Sequence, residues 1–359
     1  MQSGEDKAPA NDRGTDAGAE QLHPPLEPYL HDMMDTGDGH RIYFEQCGNP
    51  QGLPVVVLHG GPASGCSPLQ RRFFDPAFFR MVLFDQRGCG RSTPRGGLAG
   101  NDTAALLRDI EQLRRQLEIP RWIVFGGSWG ASLAIAYAAQ YLSTCLGVIL
   151  RGTFLTGNRD LDWFFGGAGS LLPVAWQQLI AAIGLTLALH ECELAGHAVL
   201  AVLQRQLSSE DPAVAGRAAA AWANWEDAVS RPGNGRPPAL PADPRTRIDN
   251  QPAPVTGAPN PDLVDKYRVQ AHYLAHQCFL GEELLLSLAG QLNAVPVEIV
   301  HGRLDWVCRP SSAWQVHQAV PGSVLTWVDH AGHNPYEPAM LTALRAAIRR
   351  VQARIGVER

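Results

Sequence analysis

The chain has 359 residues, 45% of them hydrophobic and 18% charged, with a formal net charge of −5. That length accommodates one large α/β unit with an insertion, or two domains, around a sizeable core. The acidic balance argues against a general binder of nucleic acid or anionic membranes, which carries a basic surplus. Seven cysteines, an odd number without CxxC spacing, describe reduced thiols rather than a disulfide framework or a zinc site.

The opening stretch "MQSGEDKAPANDRGTDAGAEQLHPP" is polar and lacks the apolar core of a secretory signal, so residues 1–27 are expected to be a flexible segment of a cytoplasmic protein. No apolar run approaches the roughly 20 residues that span a bilayer. "HDMMDTGDGHRIYFEQCG" reads as a hairpin around Gly37-Asp38-Gly39. "PVVVLHGG" and "FFRMVLFDQRG" are short apolar runs closed by glycine, the pattern of buried parallel strands. Residues 103–118 place Leu106, Leu107, Ile110, Leu113 and Leu117 at helical spacing. "RWIVFGG" is a further strand, "GASLAIAYAAQYL" a helix and "LGVILRG" a strand.

This alternation predicts an α/β fold with a doubly wound, mostly parallel sheet. It breaks off after Arg151. Residues 155–290 read as helical, with an alanine run at 218–221 and a proline-rich insertion near 231–262. Strands return at "VPVEIVHG" and "SVLTWVDHAGH", and the helix "PAMLTALRAAIRRVQARI" follows. The expected organisation is a sheet domain in two parts, 28–154 and 291–359, interrupted by a helical cap over 155–290.

Gly126-x-Ser128-x-Gly130 falls between the strand "WIVF" and the helix "ASLAIAYA". In that context G-x-S-x-G is a nucleophile elbow: the turn is sharp, glycines make room, and the hydroxyl is lifted above the sheet edge. The N–H of Trp129 then lies at a helix N-terminus, where it can stabilise an oxyanion. A serine needs a base and the base an acid, which in this architecture follow in the order acid, histidine. "VEIVHGRLDWVC" puts Asp305 after one strand, and "LTWVDHAGHNP" puts His333 after the next. His330 and Asp329 are rivals; His333 is preferred because "AGH" lets its loop approach the serine, and His330 reads as a partly exposed loop residue. His59 and His301, at strand ends, read as loop ties, as do Arg87 and Arg91 of "DQRGCGRS". "LHGGP" supplies a second oxyanion donor, assigned to Gly61. A phosphate loop is the competing reading of these glycines, but neither Gly-Lys-Ser/Thr nor G-x-G-x-x-G is present.

With "GDGHRIYFEQCGNP", "LHGGP", "FDQRGCGRSTPRG", "FGGSWGASLAIAYA", "VILRGTFL", "HGRLDWVCRP" and "AGHNP" in this order, the chain resembles the proline iminopeptidases of the α/β-hydrolase superfamily. The resemblance implies release of N-terminal proline from short peptides through an acyl-enzyme at Ser128, with Asp305 as acid and His333 as base, and no metal or organic cofactor. It also implies a cap that binds the substrate amine with carboxylates. "AWANWEDA" matches the family's Trp-x-x-Trp-Glu segment and points to Glu226; the competing reading is an exposed helix glutamate. Three departures stand out: Ala63 replaces the last glycine of His-Gly-Gly-Pro-Gly, Gln270 in "VQAHYL" replaces a second carboxylate, and the proline-rich stretch lengthens the cap. Trp163, Phe164 and Phe165 are candidates to pack on the pyrrolidine ring. Two other functions stay open: an esterase or amidase on small acyl substrates with relaxed amine recognition, and a catalytically silent ligand-binding protein. Neither nucleic acid nor membrane is expected as a partner, and nothing in the sequence sets an oligomeric state.

Overall fold

The computed structural model describes residues 22–188, 190, 196–230 and 260–356. Most of the expected flexible N-terminal segment and nearly all of the proline-rich insertion lie outside them.

The expected hairpin forms β1 (Leu30–Asp35) and β2 (Arg41–Gly48), paired antiparallel from Leu30 against Gln46 to Asp35 against Arg41. Gly37 and Gly39 take φ of 81° and 94° at its tip, the left-handed region that glycine enters without a Cβ clash. β3 (Leu53–Leu58), β4 (Phe79–Phe84), β5 (Trp122–Gly127), β6 (Cys145–Arg151), β7 (Val297–Gly302) and β8 (Val324–Val328) complete an eight-stranded sheet of order β1-β2-β4-β3-β5-β6-β7-β8. Pairing is parallel from β4 through β8, while β2 meets β4 antiparallel.

The central strands read as unbroken apolar runs because both faces are covered. Their side chains alternate between two clusters. Val56, Leu58, Val82, Phe84, Val124 and Leu150 join helices α1 (Thr103–Gln116) and α2 (Trp129–Gln140). Val55, Val57, Met81, Leu83, Ile123 and Ile149 join Phe73, Phe74 and the last helix on the other face. Asp102 caps α1, its side chain accepting from the Ala105 N–H.

Between β6 and β7 run short helices α3 (Asn158–Asp162) and α4 (Ala168–Leu171), joined by one π-helical turn, Trp163–Gly167. Then come α5 (Pro173–Ala182), α6 (Gly196–Leu207), α7 (Pro212–Ser230), α8 (Pro261–Ala275) and α9 (Gly281–Ala289). Helices α4 to α8 enclose an apolar cluster of their own around Phe165, Trp176, Leu203, Trp222 and Tyr267. The alanine run of α7 contributes Ala218, Ala219 and Ala221, small residues that bring the helices close. Helix α9 instead joins the sheet-side cluster through Leu285 and Ala289. The chain closes with α10 (Pro310–Ala319) and α11 (Pro338–Arg354). Among the described residues no helix is long and apolar enough to cross a membrane, and Cys47, Cys66, Cys89, Cys145, Cys278 and Cys308 are free thiols.

Candidate active site

Ser128 stands where β5 turns into α2, with φ 58° and ψ −125°, a strained conformation for a residue bearing a Cβ. The turn closes because its neighbours carry no side chain. A Cβ on Gly126 would run into the Gly130 carbonyl, and one on Gly130 into the Leu58 carbonyl; both obstacles are backbone and cannot rotate away. The serine N–H is held by the Arg151 carbonyl at 2.8 Å. Its hydroxyl makes no capping bond and lies 3.8 Å from Cys308 Sγ, a weak contact that leaves it available.

Asp305 lies beyond β7, 1% exposed. Its Oδ1 accepts from the N–H groups of Val307 (3.0 Å) and Cys308 (2.8 Å), and its Oδ2 accepts from His333 Nδ1 at 2.8 Å. Burial by itself raises the carboxyl pKa; the imidazole of His333, then His301 and the Cys308 amide, outweigh it, and Asp305 lies below its ordinary value. With Nδ1–H committed to Asp305, Nε2 of His333 is the nitrogen left to act as a base, and His333 lines the same cavity as Ser128. No hydrogen bond joins Ser128 to His333 in this arrangement; such bonds commonly tighten only around a substrate.

His330 and Asp329 are exposed, the latter paired with Arg303 at 2.6 Å, and neither lines the cavity. His59 and His301 are buried ties. His59 bonds the Gly60 carbonyl through Nδ1 and takes the Gln86 N–H at Nε2. His301 takes the Thr153 N–H at Nδ1 and bonds the Cys308 carbonyl through Nε2. Arg87 grips Asp109 with two nitrogens, and Arg91 grips Asp85.

Gly60 and Gly61 bring the β3 loop against the elbow serine: a Cβ on Gly60 would lie 3.2 Å from that of Ser128. Gly61 has φ 115° and precedes Pro62, which has no N–H. Ala63 adopts φ 73°, the left-handed conformation a glycine takes freely, at a cost of about 1 kcal/mol. As first residue of α2, Trp129 has a backbone N–H without an intrahelical acceptor; its indole is tied to Gln86 at 2.9 Å.

Glu226 on α7 and Gln270 on α8 line the same cavity of roughly 350 Å³. Glu226 Oε2 accepts from the Tyr267 hydroxyl at 2.7 Å and from Lys266 Nζ at 3.3 Å. Burial, and then Glu226 itself, push the Tyr267 pKa up, keeping it a donor. Gln270 is 5% exposed, and its Oε1 has no partner among the described residues. Of the three candidate aromatics only Phe164 lines the cavity; Phe165 packs in the apolar cluster of α4 to α8, and the Trp163 indole bonds the Trp306 carbonyl at 2.7 Å.

Arg151, at the end of β6, was not singled out from the sequence. It is 8% exposed, donates from Nη1 to the His333 carbonyl at 2.9 Å, and lies 3.4 Å from both ring nitrogens. Burial lowers its pKa, and the Asp305 charge opposes that. The available signal was an arginine ending an otherwise apolar strand.

A strained serine, a histidine held by a buried aspartate and a cavity that Ser128 and His333 both line suit acyl transfer. Residues 54–339 match the family described as the alpha/beta hydrolase fold. The chain is 41% identical over 329 residues to the proline iminopeptidase of Xylella fastidiosa (strain Temecula1 / ATCC 700964), covering 91% of this chain and 97% of that protein. It is 38% identical over 342 residues to the proline iminopeptidase of Arabidopsis thaliana, covering 93% and 83%. The chain belongs to the proline iminopeptidase family of α/β hydrolases. In fold it is similar to a proline iminopeptidase-related protein of Thermus thermophilus, with a TM-score of 0.52 at 20% identity over 92% of this chain and 99% of that one.

Proposed function

We propose that the chain is a prolyl aminopeptidase in which Ser128 is the nucleophile, His333 the base and Asp305 its orienting acid. The observation that carries this reading is the 2.8 Å Asp305–His333 pair, with His333 and the elbow serine lining one cavity. His333 Nε2 takes the Ser128 proton as Oγ attacks the prolyl carbonyl. The N–H groups of Gly61 and Trp129 receive the oxyanion. His333 then passes the proton to the leaving peptide nitrogen, the prolyl ester remains on Ser128, and water repeats the cycle.

Substrate selection falls to the helical segment. The expected cap, 155–290, is supported as far as α8 by its separate apolar cluster, while α9 belongs with the sheet. The substrate's secondary ammonium meets Glu226, with Gln270 Oε1 accepting its other N–H; a hydrogen bond to a charged group is worth about 1.5–3 kcal/mol. A cavity of roughly 350 Å³ suits the end of a short peptide and excludes a folded chain. Free thiols throughout the described residues support a cytoplasmic setting.

A panel of aminoacyl 4-nitroanilides tests the reading. Proline is expected to give the highest kcat/KM, and a panel led by another residue would reject it. One observation favours relaxed hydrolysis of uncharged acyl groups as a second reading: Glu226 already has a cationic partner.

A further inference from the structure

Beside Glu226, and outside the cavity lining, stands a cation that the reaction does not use. Lys266 Nζ lies 3.3 Å from Glu226 Oε2 and 4.6 Å from the centroid of the Tyr267 ring, and both members of the ion pair are about one-quarter exposed, at 26% and 27%. Lys266 is not among the residues lining the cavity, whereas Glu226 and Gln270 are. Lysine and tyrosine therefore take one oxygen of the carboxylate from behind, leaving Oε1 for a ligand. One helical turn along α8, Gln270 adds a neutral acceptor with no partner among the described residues. The formal charges of the Glu226–Lys266 pair cancel, although Glu226 is read as the partner of an ammonium.

We propose that Lys266 is a specificity-determining residue that acts through Glu226, holding down the enzyme's preference for acyl groups that carry a cationic amine. The inference rests on the prolyl aminopeptidase reading of Glu226. An ammonium at Oε1 shares its carboxylate with Nζ, and two like charges a few ångströms apart at a partly wetted site repel one another. The repulsion weakens amine binding by about tenfold at low ionic strength, and added salt screens it. The same geometry leaves an uncharged acyl group indifferent to Lys266.

The test compares prolyl 4-nitroanilide with cyclopentanecarbonyl 4-nitroanilide, which keeps the ring and lacks the amine. Lys266→Met is expected to lower KM for the prolyl substrate by about three- to tenfold at low salt. Its kcat, and both constants for the cyclopentane substrate, should stay near wild type. Lys266→Arg retains the charge and should retain the wild-type ratio between the two substrates. In the Met variant KM for the prolyl substrate should rise more steeply with salt than in wild type. An unchanged ratio in a folded Met variant, or an equal gain on both substrates, overturns the proposal. Should the Met variant not fold, Lys266→Gln carries the same comparison. A wild type unable to cleave prolyl 4-nitroanilide would sink the peptidase reading and this proposal together; an unmoved ratio in an active wild type sinks only the role of Lys266.

Discussion

The Asp305 carboxylate and the His333 imidazole meet at 2.8 Å, the first side chain 1% exposed and the second 15%. One partner is sealed and the other is open to the cavity. The sealed carboxylate cannot swing away, because its second oxygen is held by two loop amides. The ring is thus anchored at Nδ1 while the imidazole keeps part of its surface exposed.

Replacing Asp305 by Asn keeps the shape and presents the wrong partner to Nδ1–H. A fall in kcat of about 10⁴-fold is expected. The loss should appear in single-turnover acylation of Ser128, and a variant with near-normal acylation would show that the ring is oriented by something else.

The same carboxyl makes stability depend on pH. Its native pKa is depressed below an unfolded value of about 3.9. Its contribution is therefore fully present above about pH 5, and lost as pH falls through the lowered native value. Urea midpoints measured down through the acid range should drop more steeply for wild type than for Asp305→Asn.

Ser128→Ala should fold normally and lose at least about 10⁴-fold in kcat. A fluorophosphonate should label wild type at Ser128 and leave the variant unmodified. An adduct on the alanine variant would place the nucleophile elsewhere.

Two glycine positions should respond very differently. Gly130→Ala drives a methyl into the Leu58 carbonyl and should cost about 3 kcal/mol or more. Gly37→Ala, at the hairpin tip, meets nothing within 4 Å but keeps a φ of 81°, so about 1 kcal/mol is expected. Thermal denaturation of the pair checks both figures.

Glu226→Gln should raise KM for prolyl 4-nitroanilide by about 10- to 100-fold, the equivalent of one charge-assisted hydrogen bond. The cyclopentanecarbonyl substrate, lacking the amine, should be unaffected. An equal loss on both would assign Glu226 to the packing of α7 against α8.

The sheet and the elbow position of Ser128 were legible because their signals are local. The change from apolar runs to helical spacing around Gly126 and Gly130 marks a strand–turn–helix, and Asp305 and His333 each follow a strand that ends at the same rim. Arg151 was not legible, because an arginine closing a strand looks the same whether it faces solvent or a histidine. Lys266 was hidden for another reason: its partner Glu226 is on a different helix, and periodicity gives a helix its faces but not its neighbours. The same gap explains α9, whose apolar stripe marks it as buried without saying that it packs beside α2 rather than among the cap helices.

The order in which the sheet is threaded has a consequence for biosynthesis. Strand β6 pairs with β7, yet the whole helical excursion is made between them. A ribosome exposes Ser128 long before it has produced Asp305 and His333. On the proposed assignment of base and acid, the half-made protein carries an alcohol no more reactive than any other, and hydrolytic power arrives only once the final strands dock.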